Sequence, residues 1–105
     1  MNALRELTGG DTEFERALVE TFISSGDQCL SEILTALHTS DFDTIGKRAH
    51  ALKGASANIH ATGLAAAASS LEKATRLSSV REIDELVQEL TEKLQAVNAQ
   101  LLKTA

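Results

Sequence analysis

The sequence predicts an all-α fold, an antiparallel up-down-up-down four-helix bundle with a short N-terminal helical cover. Three observations carry this. None of the 105 residues is proline, only three are aromatic, and apolar residues recur at spacings of three and four without any period-two alternation of β-branched residues. Short connections between successive helices favour antiparallel neighbours. A chain of this length is expected to form one domain, 1–105, able to bury roughly two-thirds of the surface that its unfolded form exposes.

The elements follow in order. A short N-terminal segment carrying Leu4 and Leu7 ends at Thr8-Gly9-Gly10, and Asp11 is the expected N-cap of a helix whose buried face is marked by Phe14, Leu18 and Phe22. The run "SSGD", residues 24–27, predicts a break or kink, after which Leu30, Ile33, Leu34 and Leu37 form a second apolar stripe. Thr39-Ser40-Asp41 reads as a turn into a central helix from about Phe42 to Ile59, and a loop is expected around Ala61 to Gly63. The alanine-rich stretch from Leu64 places Leu64, Ala67, Ala68 and Leu71 on one side, with small residues that let a neighbouring backbone approach closely. "SVRE", Ser79 to Glu82, matches a capping box. Ile83, Leu86, Leu90, Leu94, Val97 and Leu101 then define what should be the longest helix.

Composition narrows the function. A formal charge of −5 argues against a nucleic-acid partner, because neutralising phosphates needs a basic face. No apolar run is long enough for a transmembrane helix or a signal peptide. The single cysteine, Cys29, cannot form an internal disulfide and is expected to act as a small core hydrophobe. A cytoplasmic, soluble protein with a protein or small-ligand partner fits these features.

One segment stands apart. In "GKRAHALKGASAN", residues 46–58, glycine occurs four residues before and four after His50, although an interior glycine costs a helix about 1 kcal/mol relative to alanine. At about 100° per residue, Ile45, Ala49, Leu52, Ser56 and Ile59 fall within roughly 60° of Leu52 and define the core face. His50 then points to solvent, with Gly46, Lys53, Gly54 and Ala57 around it and Lys47 further to the side. Glycine above and below the imidazole leaves it open to another macromolecule. A neutral imidazole so placed can act as a nucleophile toward a phosphoryl group, as an acid–base, or as a metal ligand. Metal chemistry lacks companions, since the chain has neither an HExxH motif nor a Cys/His cluster. Lys53, one turn on, supplies positive charge, and its attraction to an exposed phosphorylated histidine would be about 0.2–1 kcal/mol. His38 is expected near a helix C-terminus and His60 near the end of the central helix, both as surface residues.

"AHALKGASANI", Ala49 to Ile59, resembles the motif of histidine-containing phosphotransfer domains, and "LRELTGGDTEFERALVETF" and "GLAAAASSLEKA" are also similar to that family. The likeness covers essentially the whole chain. It implies that His50 is the phosphoacceptor, Lys53 its charged neighbour and Gly54 the residue that keeps it accessible, in a two-component phosphorelay. Response-regulator receiver domains are the partners it implies, including those of a parent hybrid histidine kinase. They would dock through Gly46, Lys47 and Ala57 and bring Mg²⁺ themselves, so no cofactor is expected in this monomeric domain. With no P-loop or kinase-like glycine box, the chain is a phosphocarrier rather than an autonomous catalyst. Many members have glycine where this chain has His60. The alternatives are a non-phosphorylated helical module that regulates a receiver or kinase by binding, and the dimerising domain of a histidine kinase. The latter usually carries an arginine–threonine–proline element after its histidine, whereas "ALKG" follows His50.

Overall fold

The computed structural model of the chain describes residues 9–77 and 80–104. Four helices make up nearly all of it: α1, Thr12–His38; α2, Phe42–Asn58; α3, Thr62–Leu77; and α4, Val80–Thr104. Each packs on its neighbours in a closed ring, α1 on α2, α2 on α3, α3 on α4 and α4 on α1. The antiparallel bundle predicted from the spacing is therefore the observed fold. The expected N-terminal cover with Leu4 and Leu7, and Ser79 of the capping box, lie outside the described residues.

Where two elements were expected, α1 is one continuous helix of 27 residues. It crosses "SSGD" without a break, because Gly26 is buried where α1 meets α4: a Cβ built there would lie 3.2 Å from Leu94 Cδ1. Close approach of two helices offsets the glycine's poor propensity, and α1, not α4 with its 25 residues, is the longest helix. Continuity also sets the phase. The buried stripe is centred on Val19, Phe22, Gly26 and Ile33, and at about 100° per residue Phe14 and Leu34 fall on its two flanks. Both were expected inside, and they are 51% and 41% exposed. Cys29, also on α1, is half-buried, and burial pushes its thiol pKa up.

Local hydrogen bonds set the helix ends. Asp11 accepts from the Phe14 N–H at 3.1 Å and Asp41 from the Thr44 N–H at 3.2 Å, so both act as N-caps. The exit from α1 is a Schellman motif: Ser40 N–H donates to Leu37 O, Asp41 N–H donates to Ala36 O, and Ser40 has φ +55°. The exit from α2 repeats it with His60 N–H to Ala57 O, Ala61 N–H to Ser56 O, and φ +61° at His60. The α2–α3 connection is shorter than expected, since α3 starts at Thr62 and takes in Gly63. The core joins all four helices through Ile33, Ile45, Leu52, Leu64, Leu71, Ile83, Leu90 and Leu94. Ser56 is buried among these, and its hydroxyl donates to Leu52 O at 2.7 Å.

Candidate functional site

The core face of α2 is Ile45, Ala49, Leu52, Ser56 and Ile59, all buried. That arrangement turns His50 outward, and its side chain is 66% exposed. The helix stays anchored on both sides by α1 and α3, so the imidazole stands on a rigid support.

Sequence reasoning missed the residue that engages the imidazole. Glu72, on α3, reaches across with Oε2 2.8 Å from His50 Nδ1 and Oε1 2.8 Å from Lys53 Nζ. One carboxylate thus ties together two side chains on successive turns of α2. Arg76, one turn further along α3, lies 3.6 Å from the same Oε2. Lys53 is the main reason that the Glu72 pKa lies below the ordinary glutamate range; the His50 hydrogen bond adds to this, and partial burial opposes it. Glu72 is therefore ionised at neutral pH and can only accept. The proton shared with His50 sits on Nδ1, which leaves the lone pair of a neutral imidazole on Nε2.

The two glycines around His50 differ. A Cβ built at Gly54 meets nothing within 4 Å, and this residue is exposed. A Cβ at Gly46 would stand 2.8 Å from Thr75 Oγ1, whose hydroxyl donates to Glu72 O at 2.6 Å. Gly46 thus lets α3 approach α2 closely enough for Glu72 to reach His50. It also opens a groove of about 580 Å³ beside the imidazole, bounded by Phe42, Asp43, Lys47, Thr75 and Arg76. Lys47 pairs with Asp43 at 2.9 Å on its own helix, and Ala57 is exposed on the outer side of α2. His38 closes the last turn of α1, and His60 lies in the α2–α3 turn, so neither joins the site. Among the described residues no three His, Cys, Asp or Glu side chains are grouped as a metal site requires.

The model of the Hpt domain family matches residues 17–100, the greater part of the chain. The chain belongs to that family. This Hpt domain also resembles the crystal structure of histidine-containing phosphotransfer protein B from Pseudomonas aeruginosa PAO1, with a TM-score of 0.90 and 22% identity over 98% of this chain and 90% of that one. At that identity the likeness establishes the fold. A search of curated proteins returns no match. No helix among the described residues of the Hpt domain is long and apolar enough to cross a membrane.

Proposed function

We propose that the domain is a phosphorelay intermediate in which His50 accepts a phosphoryl group from a receiver-domain aspartate and passes it to the aspartate of another receiver. The observation that carries this reading is the exposed imidazole whose Nδ1 is held by Glu72, in a chain of the Hpt family. His50 Nε2 attacks the phosphorus of the aspartyl phosphate. The P–O bond to the aspartate breaks, the carboxylate leaves, and a P–N bond forms. Because Nδ1 keeps its proton, the ring becomes cationic, and Glu72 faces that charge from 2.8 Å. Lys53 holds the other carboxylate oxygen, which keeps Glu72 ionised and aimed. In the second half-reaction a carboxylate oxygen of the next aspartate attacks phosphorus, the P–N bond breaks, and neutral His50 is restored.

The division of labour follows from the side chains present. His50 and its two supports provide a positioned nucleophile, while the receiver supplies Mg²⁺ and the acidic pocket that handle the charge on the transferring group. The domain acts as a cytoplasmic phosphocarrier.

Intact-mass analysis tests this reading after the domain is mixed with a phosphorylated receiver and Mg²⁺. The expected result is one acid-labile phosphoryl group on the parent chain and none on His50→Gln. A chain that binds the receiver yet never acquires the label would be a docking module that works by occupancy.

A further inference from the structure

The groove beside the imidazole is lined by two carboxylates, Asp43 and Glu72, and two cations, Lys47 and Arg76, so its charges balance while His50 is free. A phosphoryl group upsets that balance, because it brings a charge of about −1.5 to −2 and three acceptor oxygens. Three cations flank the imidazole, and they are not held alike. Lys53 donates to Glu72 Oε1 at 2.8 Å and lies outside the groove. Lys47 is 2.9 Å from Asp43 on its own helix. Arg76 lines the groove, is exposed, and stands 3.6 Å from Glu72 Oε2, beyond hydrogen-bonding distance. It has the loosest tie of the three. The same Oε2 is 2.8 Å from His50 Nδ1, so the guanidinium is within one side-chain swing of the ring.

We infer that Arg76 is a phosphoryl-binding residue, which leaves Glu72 for the phosphoryl group once His50 is charged. The inference rests on the phosphocarrier reading. Before transfer, the Arg76 guanidinium and the His50 Nδ1–H converge on one carboxylate oxygen. Transfer makes the ring cationic with Nδ1 still protonated, and its hydrogen bond to Oε2 then joins two charged groups, which shortens and strengthens it. His50 and Lys53 together offset Glu72, and the guanidinium is no longer needed there. Its planar fork can engage two phosphoryl oxygens at once, whereas the Lys53 ammonium is a point charge already committed to Oε1. Arg76 therefore stabilises the charged form of the domain over the resting form. The transfer equilibrium moves toward phosphorylated His50.

The test reads an equilibrium, because docking and catalysis speed transfer equally in both directions and cancel from it. A receiver charged with acetyl phosphate, then freed of the donor, is mixed with the domain and Mg²⁺, and the phosphorylated fraction of each protein gives the transfer constant. Arg76→Ala should shift that constant toward the phosphorylated receiver by about fivefold, Arg76→Lys by less, and Lys47→Ala by no more than about twofold. The Arg76 guanidinium ¹⁵N–¹H signal should also move when the parent chain is phosphorylated. An Arg76 that stays on Glu72 gives the opposite sign, since its removal leaves a less screened carboxylate facing the cationic ring and favours phosphorylated His50. That sign, an unchanged constant, or an equal shift in Lys47→Ala would overturn the role of Arg76 while leaving the phosphocarrier reading intact. Absence of label on the parent chain would overturn both.

Discussion

At the scale of single residues, the site depends on a side chain that sequence periodicity does not reveal. His50, Lys53 and Gly54 share one short segment, and the helical wheel alone turns the imidazole outward. Glu72 lies 22 positions from His50 on a different helix, inside a stretch that reads as an ordinary solvated face. A signal was present: Glu72 is the only acidic residue between Asp43 and Glu82. Replacing Glu72 with alanine frees the ring to rotate and removes the anion facing its charge, so phosphotransfer should slow by about 10- to 100-fold. Glu72→Gln, which can still accept from Nδ1–H, should fall between the two; single-turnover transfer rates measure both. The glycines give a paired expectation. Gly54→Ala should raise stability by about 1 kcal/mol, because helix propensity improves and no neighbour is displaced. Gly46→Ala should lower it, since overpacking against Thr75 costs about 1–3 kcal/mol and exceeds the propensity gain. Thermal unfolding of the two variants decides this. Gly54→Gln should fold normally and transfer slowly, because the long side chain occupies the approach to the imidazole.

At the scale of elements, the faces of α2, α3 and α4 were legible because apolar spacing reports burial directly. The break expected in α1 was misread because Gly26 serves a contact with Leu94 that is 68 residues distant and has no local signature. The error carried over to Phe14 and Leu34, whose placement depends on the phase of one unbroken helix. The end of α2 is the converse case. The resemblance marked His60 as a departure from glycine, and the structure shows why glycine suits that position: His60 is in the left-handed region, at φ +61°. His60→Gly should stabilise the domain by about 1 kcal/mol, with the two Schellman hydrogen bonds retained. An unchanged melting temperature would mean that His60 bears no strain there.

At the scale of the whole molecule, the fold brings together an exposed imidazole on one helix and the carboxylate that holds it on another. Two carboxylates also tie the bundle to pH. Glu72 is held below its ordinary range chiefly by Lys53, and Asp41 below its range chiefly by the Thr44 hydroxyl and then the Thr44 N–H. Groups depressed in this way contribute stability that is fully present above the ordinary carboxylate range and is lost as pH falls through their folded-state values. The domain should therefore lose stability on acidification, and Glu72→Gln with Asp41→Asn should flatten that acid limb in thermal melts.

The central claim, that His50 carries the phosphoryl group on Nε2 while Glu72 holds the proton on Nδ1, is tested most directly by a long-range proton–nitrogen correlation spectrum of the imidazole. It would be recorded on the ¹⁵N-labelled domain before and after incubation with a phosphorylated receiver. The account predicts a P–N bond at Nε2 with Nδ1 still protonated. A phosphoryl group on Nδ1, or an unchanged His50 ring beside a receiver that has lost its phosphate, would contradict it.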